Sequence, residues 1–279
     1  MYRPYRRAAQ IGVFATMFVI PLLNLLEIYA ITGTFYSVNI GGLSIADPVV
    51  ILQAIFAAGQ ITLTLAGSAL FAVLLAFIFG RVWCGWMCPY HLVIDVTCWL
   101  RDKLKASVLR KTERESLTIP RSFSANTVRF AFLMLGTLAA GAVGIPVLNY
   151  FSAPGIMSTE AMIFVKTHTV SIEFGFIAIL LLVEFALAPR SWCRLFCPTG
   201  TFLSLFRARF TLHVRTEIKS PRSACCKENY CTAACPMGLS PFREGENLLC
   251  TNCGRCIDEC RANDGPGKLR FSGFSRLSD

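Results

Sequence analysis

The sequence predicts an all-α membrane protein with four transmembrane helices, arranged as two repeated hairpins and followed by a small cysteine-rich module. Three observations predict this class. The 279-residue chain is 54% hydrophobic and only 16% charged, with a mean hydropathy of +0.54, which is too apolar for an ordinary soluble domain. One nine-residue motif occurs twice. Residues 217–279 hold eight of the thirteen cysteines.

Four apolar stretches are long enough to cross about 30 Å of hydrocarbon. They lie at about residues 8–30, 61–79, 130–150 and 169–187. The first stretch carries Asn24 and Glu27 near its far end and has no small-residue cleavage site before a polar domain. We therefore interpret it as a membrane span rather than a cleavable signal peptide.

Basic residues indicate the orientation of these spans. Three arginines precede the first span, nine Lys or Arg lie between Arg81 and Arg129, and fourteen lie from Arg190 onward, whereas the two opposite loops hold none and one (Lys166). Positive loops stay inside, so we expect a multi-pass protein of the bacterial inner membrane with both termini cytoplasmic. This bias explains the net charge of +10 without a nucleic-acid partner. Cytoplasmic cysteines stay reduced and can bind metal.

The repeated motif is R-x-W-C-x3-C-P, found at residues 81–89 and 190–198. The sequence therefore predicts two copies of one unit, residues 1–107 and 108–216, each made of a span, an outer loop, a second span and the motif. A basic amphipathic stretch follows each motif and suits the anionic inner leaflet. Residues 217–279 form a third, cytoplasmic module. Copies of equal orientation are related by an axis along the membrane normal, which would bring the two motifs together.

The four motif thiols are candidate redox thiols: Cys84, Cys88, Cys193 and Cys197. They could hold a metal or an additional cluster, or act as a redox relay, but they could equally be buried and inert. Proline disfavours helix at the residue before it, so we expect the spans to end near Cys88 and Cys197. Cys98, alone on an amphipathic face, is predicted to serve packing.

The outer loop between the first two spans contains its own helix signal. Asp47 and Pro48 provide an N-cap acid and a proline at the first helical position. They open a ten-residue apolar stretch, Val49 to Ala58, which is too short to span a membrane. The sequence predicts an interfacial or re-entrant helix.

The run from Cys250 to Cys260 has the spacing C-x2-C-x2-C-x3-C. This spacing wraps three thiolates around one iron–sulfur cluster, and the fourth cysteine commonly ligates a second cluster. A zinc ribbon would instead show two well-separated C-x2-C pairs. The run therefore predicts a ferredoxin-like module.

A second, irregular motif lies upstream, at residues 225–236, with Glu228 where a cysteine would be expected. In two-cluster ferredoxins the last cysteine of each motif serves the other cluster. The expected ligands of the regular cluster, here called cluster A, are Cys235, Cys250, Cys253 and Cys256. Those of the irregular cluster, cluster B, are Cys225, Cys231 and Cys260, with Cys226 or no fourth ligand. We expect one or two clusters of the [4Fe–4S] type; cluster B could be [3Fe–4S], or its site could be a decayed one that binds nothing.

Two ionisable residues of the fourth apolar stretch are candidates for a quinol or proton site. Glu184 lies deep in the stretch, and His168 lies at its outer mouth. Ionisable groups within spans are functional candidates by default, and histidine titrates near neutral pH. The chain has no G-x-G-x-x-G, P-loop or C-x-x-C-H motif, so nothing in it indicates a nucleotide, flavin or covalent haem site.

Taken together, these motifs resemble the NapH/MauN family of membrane ferredoxin-type proteins, and the resemblance covers nearly the whole chain. It implies that the cysteines of the two C-terminal motifs are cluster ligands. It further implies a quinone-pool connection and a partner ferredoxin-type or cytochrome subunit. NapH-like members of the family are taken to pass electrons from quinol toward periplasmic nitrate reductase, and MauN-like members belong to methylamine utilisation. Glu228 departs from the usual cysteine, and both branches stay open.

Three functions fit these observations. The first is a membrane-anchored electron-transfer subunit, in which the clusters carry the electrons and no residue need act as acid, base or nucleophile unless quinol is oxidised here. The second is an assembly or maturation factor for a periplasmic redox enzyme. The third is a membrane redox sensor that uses its thiols as a switch.

Overall fold

The computed structural model describes residues 2–27, 31–40, 43–59, 63–108, 123–186, 190–208, 211–216, 230–241, 248–264 and 269–273. Within these ranges the helices are α1 Tyr2–Leu25, α2 Pro48–Ala58, α3 Leu63–Phe79, α4 Val82–Trp86, α5 Pro89–Val108, α6 Phe123–Val143, α7 Ala153–Thr167, α8 Ile172–Ala186, α9 Ser191–Leu195, α10 Pro198–Leu205, α11 Tyr230–Ala234 and α12 Arg255–Asp264. A 3₁₀ helix covers Val147–Phe151. The strands are β1 Ile31–Thr34, β2 Ser37–Ile40, β3 Leu43–Ala46, β4 His213–Thr216 and β5 Leu269–Ser272.

The fold is mostly helical, and the expectation of an all-α chain needs correction. Strands β1, β2 and β3 form a three-stranded antiparallel sheet, and β4 pairs with β5 in a second antiparallel sheet. The first sheet lies in the predicted outer loop, where Ile, Thr and Val favour strands. Single-residue propensities in short polar segments are too weak to have predicted these ladders.

Membrane-spanning potential is confirmed for part of the predicted set. Among the described residues, Tyr2–Leu25 and Asn126–Val143 are long and apolar enough to cross a membrane, and Ile172–Ala186 with Ser191–Leu205 could form a third, bent span. The apolar helix Ala66–Phe79 is shorter. The chain is therefore a membrane protein with two or three such helices, and four spans in two hairpins stay a prediction.

The repeated motif folds in a similar way in both copies. The helices before it end close to the predicted ends of the apolar stretches, and before Cys88 and Cys197, where the prolines had suggested an end. Helix α3 stops at Phe79, where Gly80 adopts a left-handed conformation (φ 63°) and its N–H donates to the carbonyl of Ala76 at 2.7 Å. Helix α8 ends at Ala186. The first cysteine of each motif then lies on a short separate helix, α4 or α9. The proline begins the next helix, as its fixed φ allows at a first helical position.

By chain packing the described structure divides into two compact units. Unit 1 comprises residues 1–10, 74–87 and 203–279, and unit 2 comprises residues 11–73 and 88–202. The boundaries predicted at residues 107 and 216 concern the sequence repeat and stay predictions.

In unit 2, α2 has the capping that the sequence predicted. The Asp47 carboxylate accepts a hydrogen bond from the Val49 amide at 2.8 Å, and Gly59 ends the helix with φ 62°. The helix packs against α6. The same carboxylate accepts a hydrogen bond from the Thr199 hydroxyl, at the start of α10, at 2.7 Å. On the predicted topology Thr199 follows a cytoplasmic motif, so this contact favours the re-entrant alternative for α2.

Helix α7 is the counterpart of α2 in the second repeat, and it was not predicted. It begins with a proline near its N-terminus and lies between the 3₁₀ helix and α8. Its Ala153 and Ile156 share a buried cluster with Tyr90 and Ile94 of α5. Each of these two short helices therefore begins beside the helix that follows the motif of the other repeat.

Unit 1 contains the cysteine-rich module. Its apolar core combines Val214, Ile257 and Leu269 with three buried cysteines. Two backbone amides at the N-terminus, those of Tyr2 and Arg3, donate to the Asp258 carboxylate at 2.9 and 2.7 Å. This small core and its polar attachments position the thiols described next.

Candidate functional site

Four cysteines of unit 1 line one pocket: Cys235, Cys250, Cys253 and Cys256. They are the set predicted for cluster A. Cys235 follows α11, Cys250 and Cys253 lie on the loop before α12, and Cys256 is in the first turn of α12. Apolar side chains, among them Val214, complete the lining. The structure thus brings together thiols that are up to 21 residues apart in sequence.

The backbone of this loop turns sharply between the cysteines. Asn252 and Gly254 both adopt left-handed conformations, with φ values of 50° and 75°. Asparagine and glycine tolerate this region better than other residues. A Cβ at Gly254 would lie 3.0 Å from the Tyr2 side chain. The two turns direct successive thiols toward the same pocket.

The first copy of the repeated motif holds this loop, a role that sequence reasoning missed. The Trp86 indole N–H donates to the Asn252 carbonyl at 3.0 Å, and the Arg81 guanidinium donates to the Leu248 carbonyl at 3.0 Å. A Cβ on Gly85 would lie only 2.5 Å from the Thr251 carbonyl oxygen. A difference between the two copies could have indicated this role, because the second copy has Arg and Leu where the first has Gly85 and Trp86.

Asn252 connects the loop to two further segments of unit 1. Its side-chain amide donates to the Phe79 carbonyl at 3.2 Å and to the Leu212 carbonyl at 2.6 Å. A Cβ on Gly80 would lie 3.4 Å from the same amide nitrogen. Both the side-chain amide and the backbone carbonyl of Asn252 therefore have hydrogen-bond partners. Asn252 fixes the position of the loop in addition to forming its left-handed turn.

The four thiols cannot all ionise without a cation. Burial, together with the nearby thiols, raises the pKa of Cys235 to about 11, against the lowering effect of a hydrogen bond from the Leu239 amide. Burial and neighbouring thiols also raise the pKa of Cys256. For Cys250, burial raises the pKa while Arg207 and Arg81 lower it. An iron–sulfur cluster supplies the positive charge that such buried thiolates need.

The ligand pattern at this pocket is that of an iron–sulfur cluster: a C-x2-C-x2-C run with a fourth cysteine from a second motif. Among the described residues no group of three or more His, Cys, Asp or Glu side chains is placed to hold one metal ion. The donor set of four cysteines at this pocket fits a [4Fe–4S] cluster.

The cysteines predicted for cluster B are only partly described. Cys260 and Cys231 are almost completely buried in the core that also contains Cys256, and neither lines the cluster A pocket. Cys225, Cys226 and Glu228 lie outside the described residues.

Two of the four motif thiols, Cys88 and Cys193, pack against the same buried cluster in unit 2, so thiols from both repeats share one core. Cys197 interacts electrostatically with Cys193. Cys84 belongs to unit 1. Cys98 packs in the same core as Cys193, but its charged neighbours are Arg190, Arg101, Asp95 and Glu184 rather than thiols.

Glu184 and His168, the candidates for a quinol or proton site, have different surroundings. Glu184 is 2% exposed, and its carboxylate accepts a hydrogen bond from the Trp192 amide at 2.9 Å. His168 is exposed, ends α7 in a left-handed conformation and lies edge-on to the Phe164 ring. The described contacts give the two residues no shared partner.

A buried charge network beside the second motif was also missed. Arg190 forms an ion pair with Asp95, and its guanidinium lies 3.0 Å from the His91 imidazole. Arg190 is 4% exposed, so its guanidinium is buried at the point where it contacts these two partners. The i,i+4 spacing of His91 and Asp95 on α5 was a signal that could have found it.

Comparison with protein families gives a chemical description to the repeated motif. A family model described as a 4Fe-4S binding domain matches residues 61–107 and 170–215. The two matched segments contain the two C-x3-C-P motifs, and they end before the Cys250–Cys260 run. No solved structure matches the chain.

Several curated proteins are similar over most of the chain. The methylamine utilization ferredoxin-type protein MauN of Paracoccus denitrificans is 30% identical over 276 residues, which is 98% of this chain and 89% of the relative. The ferredoxin-type protein NapH of Haemophilus influenzae is 26% identical over 273 residues, 92% of this chain and 85% of the relative. NapH of Escherichia coli is 24% identical over 227 residues, 77% of this chain and 72% of the relative.

Proposed function

The chain belongs to the NapH/MauN family of ferredoxin-type proteins, and we propose that it is a membrane-anchored electron-transfer subunit that connects the quinone pool with a periplasmic redox system. It binds one or two iron–sulfur clusters, and it has helices that can cross a membrane. In this proposal both termini face the cytoplasm, as the distribution of basic residues predicts.

The observation that carries the proposal is the pocket in which Cys235, Cys250, Cys253 and Cys256 converge. These residues are the proposed ligands of cluster A. The proposed ligands of cluster B are Cys225, Cys231 and Cys260, with Cys226 or no fourth ligand. The protein binds each cluster, excludes water from it and sets its potential through burial, charge and hydrogen bonds. The cluster supplies the one-electron chemistry.

Charge near cluster A would influence its potential. Arg81 and Arg207 act electrostatically on Cys250, and positive charge near a cluster stabilises its reduced, more negative state. Apolar residues, among them Leu239 and Pro241, line the same pocket and limit its contact with water. Both effects suit a site that accepts and releases single electrons without reacting with solvent.

The proposal is tested first by cluster content. Full-length protein purified anaerobically should contain iron and acid-labile sulfide and should show a cluster EPR signal after reduction. Cys253→Ser should remove the cluster A signal, whereas Cys98→Ser, a thiol outside both proposed ligand sets, should retain it. Wild-type protein without iron and sulfide, or equal signals in wild type and Cys253→Ser, would overturn the assignment of cluster A.

The electron donor is tested in proteoliposomes. A quinol analogue should reduce the clusters of the wild-type protein, as followed by their visible absorbance and EPR. If the clusters accept electrons from a cytoplasmic donor but never from quinol, the quinone connection fails while the electron-transfer function stands.

A second candidate function is a maturation factor for a periplasmic redox enzyme. The 30% identity to a relative named for methylamine utilization favours it, because the redox enzymes of such a system need assembly as well as electrons. Deleting the gene separates the two functions. An enzyme that is present but immature in the deletion strain supports maturation, and a mature enzyme that lacks its electron supply supports electron transfer.

A further inference from the structure

A second pocket of unit 1 lies beside the cluster A pocket, and Cys250 lines both of them. Two arginines, Arg81 and Arg207, line this second pocket, here called the arginine pocket, and its described lining includes no carboxylate. The empty volume is about 250 Å³, including solvent at the mouth. Sites for drug-sized ligands usually have about 300–1,000 Å³, so the arginine pocket suits a smaller guest.

The Arg81 side chain is buried in this pocket with part of its guanidinium unused. Arg81 is 4% exposed, and Nη1 of its guanidinium donates to the Leu248 carbonyl at 3.0 Å. Nε is buried and has no hydrogen-bond partner, and within the described part of the chain Arg81 forms no ion pair. Because buried charged donors are costly unless they are paired, the pocket lacks an acceptor with negative charge.

The other polar side chains described in this lining already have partners. The Thr211 hydroxyl donates to the Phe77 carbonyl at 2.8 Å, and the Asn252 side-chain amide donates to two backbone carbonyls. Ser204 and Arg207 have interactions of their own. None of these groups is the acceptor that the free guanidinium nitrogen needs, so the acceptor must come from outside the described chain.

The unused part of the Arg81 guanidinium has the geometry that recognises oxyanions. Nε and Nη2 lie along one edge of the planar group, whereas the contact with Leu248 uses Nη1. Such an edge donates two parallel hydrogen bonds to an oxyanion such as a carboxylate or phosphate. Arg207 adds a second positive charge, since both guanidinium groups act electrostatically on Cys250. A small oxyanion therefore suits the charge, the donors and the size of the pocket.

We propose that the arginine pocket binds one small oxyanion of the phosphate or sulfate class, held by the free edge of Arg81 and by the charge of Arg207, and that this anion regulates cluster A. The inference rests on the proposed electron-transfer function, because the anion acts through the cluster that Cys250 is proposed to ligate.

The regulation follows from charge. One-electron reduction makes the cluster more negative, so the anion should bind the oxidised protein more tightly than the reduced protein. Because such coupling is reciprocal, the bound anion should lower the midpoint potential of cluster A. For two unit charges about 10 Å apart at an effective dielectric constant of about 20, the affinity should differ about tenfold between the two states. A tenfold difference corresponds to about 59 mV for one electron.

Equilibrium dialysis and redox titration test the site in full-length protein purified anaerobically in detergent. Inorganic phosphate is the probe, exchanged for chloride at constant ionic strength. We expect saturable phosphate binding, and a midpoint potential of cluster A, followed by EPR, that falls with phosphate and then levels off about 59 mV lower. Short-chain phosphatidic acid forms the second arm. A shift with this lipid but not with inorganic phosphate would identify a lipid headgroup as the source of the oxyanion.

Two arginine-to-lysine exchanges provide a matched pair. Arg81→Lys keeps the positive charge but loses the edge with two donors, so it should weaken phosphate binding about tenfold or more and remove the shift in potential over the same phosphate range. Arg270→Lys, at an exposed position of β5 in the same unit, should bind phosphate and shift like the wild type. Should Arg81→Lys fail to retain cluster A, Arg207→Gln, which removes a charge from the pocket, should weaken phosphate binding as well.

Two outcomes would refute the proposal. One is a wild-type protein that binds neither inorganic phosphate nor phosphatidic acid, and the other is equal phosphate binding by Arg81→Lys and Arg270→Lys. Failure of the proposed function looks different, because the protein would then lack the cluster A signal, while dialysis would still measure phosphate binding to the pocket.

Discussion

The indole N–H of Trp86 donates a hydrogen bond to the backbone carbonyl of Asn252 at 3.0 Å. Asn252 is the left-handed residue between Cys250 and Cys253, so a residue of the first repeat fixes the turn that directs the cluster thiols. The first repeat therefore stabilises the ferredoxin-like loop through a hydrogen bond that does not involve its own cysteines.

Trp86→Phe tests this support, because it removes the donor and keeps an aromatic ring. One hydrogen bond contributes about 0.5–1.5 kcal/mol, so we expect cluster A to be lost about 2- to 10-fold faster in the presence of an iron chelator. The measurement is the decay of visible absorbance in the purified protein. Trp99→Phe, at a residue 54% exposed on α5, is the matched control. Equal decay rates in the two variants would contradict the prediction.

Gly85→Ala tests the close approach of α4 to the same loop. The added Cβ would lie 2.5 Å from the Thr251 carbonyl oxygen, and backbone on both sides leaves little room for adjustment. Overpacking of this kind costs about 1–3 kcal/mol. We expect a lower iron content at cluster A and a weaker EPR signal.

Gly67→Ala is the control for helix propensity, because a Cβ at Gly67 meets nothing within 4 Å. Alanine in place of a helical glycine is otherwise mildly stabilising. A Gly85→Ala protein with a full complement of iron would show that α4 and the loop can separate without loss of the cluster.

The sequence predicted the four thiols of the cluster A pocket because their spacing is itself the structural requirement. A C-x2-C-x2-C run can converge locally, and the rule that the last cysteine of each motif serves the other cluster indicates Cys235. It also predicted α2 correctly, since the Asp47 cap and the proline that follows it are local signals. Local chemistry of this kind can be read from neighbouring residues alone.

What could not be predicted depends on tertiary contacts between distant residues. The hydrogen bond between Trp86 and Asn252 joins residues 166 positions apart, and no local pattern identifies it. The short separate helices α4 and α9, which follow the ends of the apolar stretches, likewise could not be predicted from hydropathy. The start of α7 was missed because the helix lies in a stretch that reads as a loop between two spans.

The cluster-free protein should lose stability at alkaline pH. Burial raises the pKa of Cys235 from 9.0 to about 11, against a lowering hydrogen bond from the Leu239 amide. Since the folded chain holds this proton more tightly than the unfolded chain, the stabilisation is complete below the unfolded pKa and is lost as the pH rises through about 11. The shift from 9.0 to about 11 corresponds to about 3 kcal/mol at most.

The free energy of unfolding of the chelator-treated protein, measured by tryptophan fluorescence at several pH values between about 8 and 11, checks this prediction. Cys235→Ala should flatten the dependence in part, because the buried thiols Cys250 and Cys256 shift in the same direction. The cluster-loaded protein should show little of it, since its thiolates are held by iron. The same slope in loaded and cluster-free protein would contradict the assignment to these thiols.

The pairing of Arg190 with Asp95 gives a prediction for unit 2. The Arg190 side chain is 5% exposed and the Asp95 side chain 14% exposed, so Asp95→Asn removes from a buried guanidinium the carboxylate with which it forms its ion pair. Removing one partner of a buried ion pair costs about 3–5 kcal/mol. We expect a marked loss of thermal stability in detergent. The surroundings of Cys193, which lies in α9 three residues after Arg190, should change as well. Asp102→Asn, at an exposed position of the same helix, should have almost no effect. A thermal midpoint for Asp95→Asn that equals the midpoint for Asp102→Asn would show that the charge of Arg190 is compensated elsewhere, by the Glu184 carboxylate, with which it interacts electrostatically, or by solvent.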